Sequence, residues 1–559
     1  MKKLLILLLA LLAPAAPARA ERPRVYALTG ARIMTAPGQV IDSGTIVLRD
    51  GLIESVGKQV SPPADAWVID ANGRTVTAGF IDACTDLGQK KPETGGGGGG
   101  GGTGGRQAEP RETPPGPNHP IARIHPERRA VDLLQIDATT FDKHRAMGFT
   151  SAVTMPGDGL FRGQAAVIDL NAGPPSSSIV RADAGQMLGF DYGGFGQGYP
   201  TSLMGAIAAI RQTLLDAQRE TVWRTRYESD PTGLARPEFL EAFAPLEALA
   251  AGRTQAIFDV KDRGNITRAI AISREFILKA ILIGSGGESV EQGAISALKR
   301  SGYPVILPLA FPDKPKVEDP DEALNVTFQD LEAWDAAPAN PAKLQEAGIP
   351  IALGTCRLPA PGDFPGNLRK AIGRGLTEQA ALAALTTAPA KFFGLEKSLG
   401  TLEAGKIANL VVFADAPAGG EGVFAEKSKP VQVFVDGVKY EIEQKKSKGD
   451  PNAKVDPRGT WSVVYTIGGR TLNRTWTLKG HEGSWSGSAE TQAGVVDFVS
   501  VKLAGNELTV VLPPSGGRGS QEIVVVITGD TLEGSAELSS GGSFPVKGNR
   551  TSGPEGGAP

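Results

Sequence analysis

The chain has 559 residues, 41% of them hydrophobic, with 61 acids against 58 bases and a formal net charge of −3. That is ample apolar material for several domains, and a mildly acidic balance without a long basic stripe excludes the electrostatic footprint of a nucleic-acid binder. Gly (72) and Pro (41) are both abundant, and one segment holds part of the glycine.

Residues 1–20 read as a secretory signal. Lys2 and Lys3 make its basic start, Leu4 to Leu12 its apolar run, and Ala18-Arg19-Ala20 a cleavage site before Glu21. The run is too short to span a bilayer, no cysteine follows it to carry a lipid, and no later apolar stretch reaches spanning length. The expected product is secreted or periplasmic, without a transmembrane segment. Losing the signal's three positive charges moves the formal net charge from −3 to −6.

From Arg24 to Thr77 apolar and polar residues alternate between turns, and Asp50-Gly51 reads as a hairpin. A matching pair of strand signals lies far downstream, at Gly400 to Phe413 and Val431 to Tyr440. Between them comes Gly79-Phe80-Ile81-Asp82-Ala83-Cys84-Thr85-Asp86-Leu87-Gly88, and then a stretch without periodicity. Gly95 to Gly102 is unbroken glycine, and Pro110 to Pro120 is Pro-rich. No Gly-Lys-Ser/Thr ending follows, so a flexible loop is expected over 91–120 rather than a phosphate cradle.

Order resumes with an expected helix over Arg128 to Met147 and a strand Gly148 to Val153, followed by Gly163 to Leu170. Further helices are expected at Leu203 to Arg226, Arg236 to Ala251, Asn265 to Phe276, Glu288 to Arg300 and near Pro341 to Ala347. Strands are expected at Gln255 to Val260, Ala280 to Gly284, Pro304 to Leu307 and Ile349 to Gly354. Short buried strands alternating with helices predict a parallel sheet, and this many repeats suit an α/β barrel. The fourth barrel strand finds no clear place. The closing helices, Leu368 to Arg374 and Thr377 to Thr387, lead to Ala388-Pro389-Ala390-Lys391-Phe392-Phe393-Gly394-Leu395.

The Gly-Phe-Ile-Asp strand, the split sandwich and this closing phrase together resemble the amidohydrolase superfamily, in particular the imidazolonepropionase-like metal-dependent hydrolases. Gly159-Leu160-Phe161-Arg162-Gly163-Gln164 is similar to a loop of its exported members. The resemblance covers roughly Arg24 to Ile442. It implies a TIM-like (β/α)8 barrel over 79–399 and a composite β-sandwich from 21–78 and 400–442. Beyond a linker at 443–458 the texture turns all-β over 459–550, a small antiparallel barrel or sandwich with Trp461, Trp476 and Trp485 as core candidates, and 551–559 form an expected disordered tail.

The resemblance also implies a metal centre at the barrel mouth. Its ligands are His-x-His after strand one, Lys or Glu after strand four, His after strands five and six, and Asp after strand eight. Here the equivalents read Cys84 and Asp86, then Asp259, then Gly284-Ser285, then Cys356. The histidines, His119, His125, His144 and His481, fall elsewhere. Three readings of the cysteine pair are open: small buried hydrophobes, thiolate ligands, or a disulfide. Strands one and eight adjoin in a closed barrel at about 4.8 Å, within the Cα range of about 4.4–6.8 Å that a disulfide tolerates. Zinc enters only if Cys84, Asp86 and Cys356 coordinate it, and no cofactor is expected otherwise.

The leading expectation is an exported amidohydrolase-family protein with a degenerate, metal-free site that binds a small or peptide-like ligand. In it the β domain attaches to a partner or the cell surface. The alternatives are an active hydrolase built on Asp86 and Asp259, and a non-catalytic partner of a competent relative. A homo-oligomer is also open.

Overall fold

The computed structural model describes residues 25–89, 119–193, 198–317, 320–414, 422–426, 428–442, 449–450, 453–467, 470–481, 483–491, 494–513, 521–537 and 543–553. The expected signal, almost all of the Gly/Pro-rich loop and residues 443–448 of the expected linker lie outside them. The chain divides into two compact units, Met1–Ile442 and Glu443–Pro559. Among the described residues no helix is long and apolar enough to cross a membrane.

In the first unit, strand Val25–Ala36 pairs with Gln39–Arg49 and with Thr75–Ala78. Thr75–Ala78 then pairs antiparallel with Leu410–Phe413, so the two distant halves join in one sheet, Leu410 opposite Ala78 and Phe413 opposite Thr75. Period-two alternation turns Leu28, Ile33, Ile46, Val76, Leu410 and Phe434 into one shared core.

Eight strands make the barrel: one Phe80–Thr85, two Phe149–Thr154, three Phe161–Asp169, four Ile179–Gly189, five Ala256–Asp259, six Ala280–Ile283, seven Val305–Pro308 and eight Ile351–Gly354. Strands four to eight run parallel in succession, as do one and two. Strand three is antiparallel to both neighbours. Only residues 155–160 link it to strand two. A link that short permits a hairpin but not a crossover, which takes a dozen residues or more. The regular β–α alternation therefore lapses here, and strand four follows strand three directly after residues 170–178. Ile81, Val153, Val167, Ile257, Ile306 and Ala352 pack in the same core cluster, which fills the barrel.

Several expected helix starts shift. Arg128–Met147 resolves into a 3-10 turn, Ala130–Leu133, and a helix, Ala138–Ala146. The preceding segment lies against strand three instead, with His125 N–H donating to Phe161 O (2.8 Å) and Gln164 N–H to Arg128 O (2.8 Å). The helix expected from Arg236 begins at Phe243, and the one expected from Glu288 begins at Ala294. Glu288 is occupied elsewhere: its carboxylate accepts from the N–H groups of Ser285 and Gly286 and from Asn340 Nδ2 (2.6 Å).

The second unit is a closed all-β barrel. Strand Gly459–Ile467 pairs antiparallel with both Arg470–His481 and the last strand, Ser543–Ser552. Arg470–His481 pairs with Ser484–Thr491, and Ser500–Ala504, Glu507–Leu512, Gln521–Thr528 and Thr531–Glu537 complete the ring. Closure leaves no open edge in that ring, while Gly494–Asp497 pairs only with Ser484–Thr491. Trp461 and Trp476 are fully buried, and the Trp476 indole donates to Tyr465 Oη (3.0 Å). Trp485, expected in the core, is only half-buried at its margin. The last strand also takes in Thr551 and Ser552 of the expected tail.

Candidate functional site

The C-terminal ends of the parallel strands define the barrel mouth. Because strand three is reversed, its first residues reach this rim and bring Arg162 with them. Arg162 Nη2 donates to Asp259 Oδ2 (2.8 Å) at the end of strand five and also pairs with Asp191 after strand four. Asp191 Oδ1 accepts from Lys261 Nζ (2.8 Å). From the far side Arg357 pairs with Asp259, and it donates to Gly284 O (2.6 Å) at the end of strand six and to Val260 O (3.3 Å). A Cβ on Gly189 would run into the Arg162 guanidinium, so the glycine ending strand four makes room for it.

These charges settle the state of Asp259. Burial pushes its carboxyl up, but Arg162 and then Arg357 outweigh burial and hold it below the ordinary aspartate range. Asp191 is depressed in the same way, with Arg162 and Lys261 overcoming its burial. Both are carboxylates already satisfied by guanidinium or ammonium groups.

On the opposite wall Cys84 and Cys356 are joined by a disulfide, Cα–Cα 5.3 Å, across strands one and eight. The same junction carries a backbone hydrogen bond, Cys356 N–H to Cys84 O (2.8 Å). Gly354 permits this approach, since a Cβ there would lie 2.8 Å from Cys84 N. Beneath it, fully buried Asp82 accepts from the Thr355 N–H (2.9 Å) and hydroxyl and from the Cys84 N–H (3.3 Å). Burial dominates, and its carboxyl is pushed up to about 7.

The structure thus gathers Cys84, Asp259 and Cys356 at the mouth. Asp86 is exposed and makes no side-chain hydrogen bond or ion pair with the described residues. His125 bonds Ala122 O (2.7 Å) and approaches Glu127 (3.3 Å), His119 accepts from the Ile121 N–H (3.1 Å), and His144 bonds Thr140 O (3.0 Å). His481 lies on a strand of the second unit. Among the described residues, none of His119, His125 and His144 is a partner of Asp259.

These residues do not fit the zinc-like ion that the resemblance implies. Such an ion takes three or four thiolate, imidazole or carboxylate donors. Here both thiols are consumed in a disulfide, Asp259 is claimed by two arginines, and strand six ends in Gly284-Ser285. Among the described residues no three His, Cys, Asp or Glu side chains converge to hold a metal. The sequence marks neither Arg162 nor Arg357 as functional, although Arg162 stands in Gly159–Gln164 and Arg357 follows Cys356. The signal that finds Arg357 is a positive charge just past the end of strand eight, whereas Arg162 reaches the mouth only through the reversal of strand three.

Comparisons with known proteins bear on the fold that carries this site. The amidohydrolase family profile matches residues 337–439. Imidazolonepropionase of Chromobacterium violaceum is 25% identical over 408 residues, covering 68% of this chain and 87% of that protein. A dihydroorotase of Anaeromyxobacter dehalogenans is 40% identical over 73 residues, 12% of this chain and 17% of that protein. Among solved structures, an amidohydrolase from Thermotoga maritima MSB8 shares the fold, with a TM-score of 0.58 at 22% identity over 74% of this chain and 100% of that one.

Proposed function

Since the first unit of this chain belongs to the amidohydrolase superfamily, we propose that it is an exported member that has given up metal-dependent hydrolysis and uses the barrel mouth to bind a small or peptide-like ligand. One observation carries the reading. Arg357 donates to the strand-five carboxylate and to carbonyls ending strands five and six, where the family's imidazole ligands stand. A fixed guanidinium there supplies positive charge, but it has no open coordination position and lowers no bound water's pKa. Export is supported by Lys2, Lys3, the Leu4–Leu12 run and Ala18-Arg19-Ala20, and by a disulfide that an oxidising compartment sustains.

What the mouth retains is hydrogen-bonding capacity. Lys261 and the partly exposed edge of Arg357 offer positive charge to the carboxylate of a peptide-like ligand. Elemental analysis of oxidised protein, after incubation with zinc and dialysis, tests the reading together with assays on dipeptides and cyclic amides. The expected outcome is far less than one ion per chain and no zinc-dependent turnover. One tightly held ion per chain with amide hydrolysis overturns it in favour of a working centre. Stoichiometric co-purification of another barrel protein favours the partner role instead.

A further inference from the structure

Among the described residues two surfaces of the first unit are left exposed, and each has what the other lacks. The first is the helix Phe328–Ala336, in the excursion that follows strand seven. It is built to be stable by itself: Thr327 and Asp330 form a reciprocal capping box, and Arg374 holds its far end through the Asp335 carbonyl (2.7 Å) and carboxylate. Yet it buries no residue. Leu324 is 85% exposed, Phe328 76%, and Leu331 is exposed beside them. Glu332, on the same stripe as Phe328 at i+4, has no cationic partner among the described residues.

The second is a groove of about 520 Å³ on the long helix Leu203–Ser229, walled on its other side by residues near Leu234. The Trp223 indole donates to Ala235 O (3.1 Å) and fixes that wall. Its apolar lining includes Leu215, 48% exposed, and Val222, 68% exposed. Arg219 and Arg226 also line it, and neither has a carboxylate partner among the described residues. Leu215, Arg219, Val222 and Arg226 alternate apolar and basic at i, i+4, i+7 and i+11. Leu215 with Arg219 and Phe328 with Glu332 are both apolar–charged pairs at i, i+4, about 6 Å apart along the helix axis.

We propose that the acidic, apolar-faced helix of one copy seats in the basic, apolar groove of a second copy, so that the protein self-associates through this heterologous contact. Phe328 then covers Leu215 while Glu332 meets Arg219, and Leu331 and Val222 add apolar surface beside that pair. Charge sign selects the occupant. The groove's arginines, which have no carboxylate partner among the described residues although Arg219 lies over the Trp223 ring (6.0 Å), call for an acidic amphipathic helix, and the chain carries one, exposed and already folded. Two grooves facing one another would instead set Arg219 and Arg226 against their own copies.

Sedimentation velocity on the full-length, oxidised protein across a range of concentrations tests the contact. Phe328→Glu on the helix and Val222→Glu in the groove are each expected to weaken association by roughly tenfold or more, with circular dichroism melts unchanged because both side chains are exposed. Glu332→Arg and Arg219→Glu are each expected to weaken it, and the two together in one chain to restore it. A monomer at every concentration overturns the proposal. So does an assembly indifferent to Phe328→Glu and Val222→Glu, or a double charge reversal weaker than either single one.

Discussion

Asp82 lies fully buried on strand one, and its ionisation opposes folding. Its carboxyl is raised from an ordinary value of 3.8 to about 7, burial outweighing the Thr355 and Cys84 groups that favour the charged form. A raised acid contributes stability that is complete below its unfolded pKa and is lost as pH climbs through the folded one. Asp82 therefore stabilises the protein at pH 4 by on the order of 4 kcal/mol relative to pH 7 and above. Urea unfolding of the wild type and Asp82→Asn at pH 4.5, 6 and 7.5 is expected to show their stability difference changing across that window, the wild type losing more as pH rises. Equal slopes would place the titration elsewhere. At the mouth, Arg357→Ala is expected to cost about 2 kcal/mol, because Asp259 keeps Arg162 but loses a charge-assisted partner in a half-dry site. An unchanged urea midpoint would contradict that. Cys84, Asp259 and Cys356 stand out as ligand-position equivalents because the resemblance to the family's metal centre points to them. Arg162 does not, since only the reversal of strand three carries it to the rim, and periodicity does not reveal direction.

At the scale of elements, closure depends on strands one and eight, joined at the mouth by a backbone hydrogen bond and the Cys84–Cys356 bond. The bond spans 272 residues, for which the chain-entropy model gives about 5–6 kcal/mol, an upper figure for real proteins. Cys84→Ser is expected to lower stability about as much as the double serine variant, since either removes the whole crosslink. A single variant as stable as the wild type, by thermal melting without reductant, would show that the barrel closes unaided. Strands five to eight were readable from sequence because each is a short apolar run before or after a helix. Strand four was not: Ile179–Gly189 follows a hairpin rather than a helix, and its first half, with Arg181 and Asp183, is too polar to read as buried. In the second unit Ser484–Thr491 and Thr531–Glu537 escaped for a related reason, being made largely of small and polar residues that carry little strand propensity.

For the whole molecule, the split into two units makes independent folding the natural expectation for the second. Its ring is closed, and its core around Trp461, Trp476, Val510 and Ile523 draws on its own strands. A fragment beginning at Lys454 is expected to give a cooperative β-type circular dichroism melt, and a disordered spectrum would mean that it relies on the first unit. In the sequence the alternation changes from helix-and-strand to strand-and-turn near Gly459, and the chain divides into two compact units after Ile442. How the mouth is held together has a further consequence. On the proposed reading, a mouth tied by arginine and cystine offers a chelator nothing to extract, and the agents expected to loosen it are reductants, which cut the crosslink, and concentrated salt, which weakens the ion pairs.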